Sequence, residues 1–154
     1  MEKKTSSLDS FFERIFVTKA PVQLPAGVKE WIVKYSPWIT LLILILMAPA
    51  ILASIGLGTL FGGLSFFGGL KAGVMYYVSL IAGIIEIVLL IMALPGLFKR
   101  KISAWRLVYY SSLLSITIGI ISDIAYLAFG SLIVGLISAA ISLFFVYQIK
   151  SKYS

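Results

Sequence analysis

The sequence predicts an all-α integral membrane four-helix bundle, preceded by an amphipathic helix at the membrane interface. Of the 154 residues, 60% are hydrophobic and only 12% are charged, and the mean hydropathy is +1.06. No charged residue lies between Lys34 and Lys71 or between Asp123 and Lys150. Soluble domains carry roughly twice this share of charge. A soluble fold of this length could not bury so much apolar surface, so the chain is predicted to lie in a membrane.

The first 35 residues are predicted to form a cytoplasmic and interfacial segment. Apolar side chains recur every three or four residues from Leu8 to Phe16, which is typical of an amphipathic helix. Such a helix either anchors the chain at the membrane surface, the interpretation we favour, or docks a cytosolic partner. A second short amphipathic helix is expected before the first span. The predicted surface anchors are aromatic and aliphatic: Phe11, Phe12, Ile15, Phe16, Trp31, Trp38 and Trp105.

Residues 36–154 are predicted to form the transmembrane domain. A spanning helix needs about 20 apolar residues, and four segments meet this requirement: residues 37–57, 74–98, 107–129 and 131–149. Ser36 and Pro37 match an N-cap and a first-turn proline, so the first span is expected to begin there. Pro49 is expected to bend that span. The last two spans are joined through residues 129–131, which predicts a tight antiparallel hairpin.

The basic residues predict the orientation of the chain. Twelve of the 13 lie before the first span, between the second and third spans, or after the fourth, and Lys71 alone lies on the other side. The positive-inside rule therefore places both termini in the cytoplasm, with the chain crossing the plasma (inner) membrane several times. The same charges favour the anionic inner leaflet as a partner. Nucleic acid is not predicted as a partner, because the charges flank spans instead of forming one stripe.

A glycine-rich stretch, residues 56–73, is predicted to connect the first two spans on the outer side. It is either a re-entrant segment over residues 58–73 that lines a pathway, or an interfacial loop, which we favour. Two pairs of glycines, Gly58 with Gly62 and Gly69 with Gly73, have the GxxxG spacing that lets helix backbones approach closely. They are candidate contacts with a second copy of the chain or another membrane protein.

Two carboxylates, Glu86 and Asp123, lie within the predicted spans. A charged group near the bilayer centre costs about 2.5 kcal/mol or more, so each requires an explanation. Serines recur at helical spacing along the predicted spans, and such small polar residues mark the helix faces that contact neighbouring helices. We therefore expect a shared site formed by Glu86, Asp123, Ser115, Ser138 and Ser142. This site is interpreted either as a proton or ion site or as an interhelical polar contact. For Glu86 the two interpretations weigh about equally, and for Asp123 the structural one is favoured.

The composition also restricts the chemistry. The chain has no cysteine and no histidine, which excludes disulfides, thiol or imidazole catalysis and Cys/His metal sites. No catalytic residue, metal site or cofactor is predicted, and the chain is not expected to be an enzyme.

Two stretches, KAPVQLPAGVKEWIVKYSPWI at residues 19–39 and ALPGLFKRKISAWRLVYYS at residues 93–111, are similar to a known family. They resemble a family of small, uncharacterised four-pass bacterial membrane proteins, some of whose members are labelled chromate transporters. The resemblance implies four spans, but it implies no catalytic residue.

Two functions are compatible with these features. The leading hypothesis is an oligomeric transporter or channel-like subunit that uses a buried carboxylate. An oligomer is required because four helices leave little room for a pathway within one chain. The alternative is a non-catalytic membrane scaffold or assembly factor that recruits a partner through its N-terminal amphipathic helix.

Overall fold

The structure, a computed structural model, describes residues 7–20 and 22–154, and the regular elements in these ranges are all helical. Helix α1 covers Ser7–Glu13 and continues into a π-helical turn at Arg14–Thr18. A 3-10 turn at Lys150–Lys152 follows the last helix. Four long helices lie between them: α2 (Ala26–Ser65), α3 (Leu70–Phe98), α4 (Ile102–Ala125) and α5 (Phe129–Ile149).

The predicted fold class, an all-α membrane four-helix bundle, is confirmed. Helices satisfy their own backbone hydrogen bonds, as a membrane interior requires. Segments of all four long helices have the length and apolar composition to cross a membrane: Ala26–Met47, Leu70–Phe98, Ile102–Ala125 and Phe129–Lys152.

Helix α2 is longer than predicted and does not begin at Ser36. Its 40 residues run without a break through Pro37 and Pro49, and at 1.5 Å per residue it is about 60 Å long. Pro37 has no N–H to donate to the carbonyl of Val33, four residues earlier. The Ser36 hydroxyl donates to that carbonyl instead, at 3.2 Å. Ser36 therefore repairs the helix at the proline, whereas the sequence predicts it as an N-cap.

The glycine-rich stretch is neither a re-entrant segment nor an interfacial loop. Helix α2 continues to Ser65, a 3-10 turn covers Phe66–Gly68, and α3 begins at Leu70. Gly69, between the 3-10 turn and α3, has a φ of 96°, a backbone conformation that favours glycine. The stretch is therefore a helical hairpin with a short turn.

Glycines of this hairpin permit close packing within the chain. A Cβ added at Gly62 would overlap the ring of Tyr77, and one added at Gly58 would lie 3.3 Å from Leu80. Both glycines are buried against α3. The GxxxG spacing thus serves the α2–α3 contact, in place of the predicted contact with a second copy.

The hairpin between α4 and α5 lies three residues earlier than predicted. Helix α4 ends at Ala125, and residues 126–128 form the turn that the sequence places at 129–131. Leu127 has a φ of 54°, and this left-handed conformation lets the following N–H donate to the carbonyl of Asp123 at 2.8 Å. Glycine is the usual residue in such a helix-ending motif, so the sequence predicts the turn around Gly130. In the structure Leu127 takes the left-handed conformation instead.

The C-terminus is bound to the turn between α3 and α4. The Ser154 N–H donates to the Arg100 carbonyl, and the Ile102 N–H donates to the Ser154 carbonyl, both at 2.9 Å. Glu30 of α2 forms ion pairs with Arg100 and Lys152. Both ends of the four-helix domain and the α3–α4 turn therefore lie at the same end of the bundle.

The hydrophobic core cluster, among the residues whose burial is described, lies at this end. Its buried residues are Val33, Ala93, Leu97, Ala104, Trp105, Tyr109, Leu143, Val146, Tyr147, Ile149 and Tyr153. In α5, no residue before Leu143 is buried. Helix α5 packs on α4 and makes few contacts with α3 among the described residues. The bundle is tightly packed at the end that carries the termini, whereas the described residues of α5 are not buried toward its other end.

Candidate functional site

A cavity of about 340 Å³ lies in the open part of the bundle, between α3, α4 and α5. We call it the carboxylate cavity because both carboxylates of the predicted spans line it. The structure brings all five predicted site residues together there: Glu86, Asp123, Ser115, Ser138 and Ser142. Small residues complete much of the wall. Serine and glycine at intervals of three and four residues place short side chains on one face of α4 and one face of α5.

Asp123 connects the two helices of the last hairpin. One of its carboxylate oxygens, Oδ1, accepts a hydrogen bond of 2.7 Å from the hydroxyl of Ser131 in the first turn of α5. The other, Oδ2, lies 3.5 Å from the position that a Cβ on Gly135 would take. This arrangement supports the structural interpretation of Asp123, and it also leaves Asp123 in the cavity wall.

Glu86 is half-buried in the wall formed by α3. The polar group beside its carboxylate is the hydroxyl of Ser111, which is itself buried. Ser111 is not among the predicted site residues, because the predicted polar face of α4 runs through Ser112 and Ser115. The available signal was its spacing of four residues from Ser115, which also places it on the side of α4 that faces α3.

The carboxylate cavity has an acidic and hydroxylic lining. Glu86 and Asp123 are its only charged residues among the described ones, and no lysine or arginine lines it. The ion pairs that the described residues form lie at the end that carries the termini, where Glu13 pairs with Lys150 and Glu30 pairs with Arg100. Oxygen atoms of carboxylates and hydroxyls suit protons and hard cations. An oxyanion would be repelled by ionised carboxylates.

One side of the carboxylate cavity is open. Ser115 of α4 and Ser138 and Ser142 of α5 are exposed, as are the glycines between them. At the depth of a membrane interior, exposed hydroxyls would face hydrocarbon unless another protein surface covers them.

The predicted N-terminal anchors divide into two groups. Phe12 and Phe16 pack against Tyr147 at the end of α5, with ring centroids 6.1 Å apart in both pairs. Phe11 and Ile15 remain exposed. The amphipathic helix therefore uses part of its apolar stripe to bind the bundle, and the remainder is free to contact a membrane surface.

The tryptophans also differ from one another. Trp31 and Trp38 are exposed at the end that carries the termini, as surface anchors would be. Trp105 is only 2% exposed and is not a surface anchor. Its ring stacks on Tyr109, and its indole N–H donates to the Val146 carbonyl at 2.7 Å. The charged residues beside it in the sequence suggest an interfacial position, but the packing of α4 against α5 buries it.

Comparisons with protein-family models, curated proteins and solved structures found no match. The resemblance to the four-pass family therefore stays a prediction. Within the part of the chain that the structure describes, no group of three or more acidic, cysteine or histidine residues is placed to hold a metal ion.

Proposed function

We propose that the chain is an oligomeric membrane transporter or channel-like subunit in which the carboxylate cavity binds a proton or a small cation. The observation that carries this proposal is the position of Glu86 and Asp123 in the wall of one cavity whose described lining contains no basic residue. Ionisable residues inside a membrane are costly, and they commonly mark ion or proton pathways. Glu86 is the group that exchanges the proton or binds the cation, and Asp123 together with the serines supplies further oxygen ligands.

The open side of the cavity supports the oligomeric part of the proposal. A second copy of the chain that packs on α4 and α5 would remove the exposed serines from lipid and close the cavity into a pathway. The chain then supplies one wall of the pathway and its partner supplies the other.

The distribution of basic residues supports the orientation. Lys99, Arg100 and Lys101 lie at the same end as Lys150 and Lys152, which supports a cytoplasmic position for this end at a plasma membrane, next to an anionic leaflet. The acidic lining favours protons and cations over chromate, the substrate named in the labels of some members of the family that the chain resembles.

Flux measurements on purified protein in liposomes test this proposal. We expect an imposed pH or cation gradient to dissipate through the native chain. Glu86→Gln should reduce that flux by at least about tenfold, because the amide neither ionises nor carries a proton. Asp123→Asn should reduce it less.

Thr117→Ala is the matched control, because Thr117 lies on α4, is exposed and bonds only to Leu113 of its own helix. Its flux should equal that of the native chain. An absence of proton and cation flux through the native chain, or native flux in Glu86→Gln, contradicts the proposal.

The scaffold hypothesis has less support. Phe12 and Phe16 of the N-terminal helix contact the chain's own Tyr147. A partner that needed the whole apolar stripe would first have to displace this contact.

A further inference from the structure

A second cavity, of about 300 Å³, lies at the packed end of the bundle beneath the N-terminal segment. We call it the terminal cavity. Residues from five parts of the chain line it: Glu13 and Val17, Lys29, Ile102, Tyr147 and Gln148, and Lys150, Ser151 and Tyr153. It shares no residue with the carboxylate cavity, so the proposed transport function does not use it.

Gln148 is one of the residues that line this cavity, and its side chain has an unsatisfied acceptor. The side chain is only 1% exposed, and its Nε2 donates to the Phe16 carbonyl at 2.8 Å. That bond fixes the amide orientation, because a carbonyl accepts only from the NH₂ group. The remaining atom, Oε1, is buried and has no hydrogen-bond partner among the described residues. Buried polar atoms are nearly always paired, so this oxygen calls for a donor that the described residues do not supply.

The charges around the cavity define the rest of the ligand. Lys150 pairs with Glu13 at 2.7 Å, and Lys29 is a second cation in the lining, which gives the lining a net charge of +1. Burial raises the pKa of the Tyr153 phenol, so that group adds no negative charge at neutral pH. The complementary ligand is an anion that also carries a hydrogen-bond donor.

The position of the cavity indicates where such an anion comes from. The cavity lies at the end of the bundle that carries the α3–α4 turn and the C-terminus, with Trp31 exposed on the same end of α2. Ser151 at its rim is exposed. In a membrane protein of this topology, the phospholipid head groups lie at this level.

We propose that the terminal cavity binds the head group of an anionic glycerophospholipid that bears free hydroxyls, such as phosphatidylglycerol. The phosphate lies against Lys29, and a head-group hydroxyl donates to Oε1 of Gln148. The bound lipid fixes the N-terminal segment to the bundle, because Gln148 also holds the carbonyl of Phe16.

Native mass spectrometry of the full-length protein, titrated with lipid in detergent, tests this assignment. We expect phosphatidylglycerol to bind and phosphatidylcholine to bind at least about fivefold more weakly, because the choline head group lacks a hydroxyl donor and its cation cancels the phosphate charge. Gln148→Met and Lys29→Gln should each weaken phosphatidylglycerol binding by a similar factor. Lys34→Gln is the control, because Lys34 lies on the same helix, is exposed and does not line the cavity.

Lys29→Gln keeps the test decisive if Gln148→Met does not fold, because Lys29 is only partly buried. Equal binding of the two lipids overturns the proposal, and so does unchanged phosphatidylglycerol binding in Lys29→Gln. A third arm uses soluble glycerol 3-phosphate. If it displaces phosphatidylglycerol at micromolar concentration, the ligand is a soluble phosphate ester and the lipid assignment is wrong.

Discussion

Trp105 satisfies a carbonyl that the end of α5 leaves without its usual partner. In a continuing α-helix the Lys150 N–H would donate to Val146, but here it donates to the Tyr147 carbonyl. The Trp105 indole N–H takes its place at 2.7 Å, in the middle of the buried core. A buried carbonyl that loses its donor costs about 1–3 kcal/mol. Trp105 of α4 thereby stabilises the C-terminal end of α5, although it lies 41 residues from Val146 in the chain.

Trp105→Phe should therefore lower the free energy of unfolding by about 1–3 kcal/mol, because Val146 loses its donor and the smaller ring leaves space in the core. Thermal unfolding of the purified protein in detergent, followed by circular dichroism, measures the change. Trp38→Phe is the control, since Trp38 is exposed and only its edge contact with Phe98 is altered. Equal effects of the two substitutions would show that the hydrogen bond contributes nothing.

At the level of the helices, hydropathy predicts which segments are transmembrane better than it predicts where they end. The sequence predicts helix boundaries at Pro37 and at Gly56, but α2 runs through both and ends only at Ser65. The reason is tertiary. A neighbouring hydroxyl compensates Pro37, and the rings of α3 occupy the space beside the glycines of α2. Neither compensation can be recognised from local sequence alone.

Gly62 and Gly63 allow this packing role to be tested within one helix turn. A Cβ on Gly62 would overlap Tyr77, whereas nothing lies within 4 Å of a Cβ on Gly63. Gly62→Ala should destabilise the protein by about 1–3 kcal/mol through overpacking. Gly63→Ala should be neutral or stabilise it by up to about 1 kcal/mol, since alanine is the better helix former. Thermal unfolding compares the two, and the opposite order would contradict the observed packing of α2 on α3.

For the whole molecule, composition was sufficient to predict the fold class, and periodicity was sufficient to predict the lining of the carboxylate cavity. Residues at intervals of three and four lie on the same helix face, so Ser138 and Ser142 line the same cavity. The terminal cavity could not be predicted, because it depends on contacts such as that of Gln148 with Phe16, which lie 132 residues apart in the chain. The local sequence pattern also does not show that α5 is buried near its C-terminal end and exposed toward its N-terminal end.

The open side of the carboxylate cavity leads to a prediction about assembly. The chain contains no cysteine, so a disulfide formed by a variant with one introduced cysteine must join that position in two copies. Ser138→Cys should form a disulfide-linked dimer when membranes are treated with a mild oxidant, because a second copy is expected to cover this exposed residue of the cavity wall. Ile137→Cys is the control: it is also exposed, but it lies about 100° around α5 and outside the cavity wall. Gel electrophoresis without reductant measures the product. Linkage at Ile137 alone, or at neither position, would mean that the exposed hydroxyls do not face another copy.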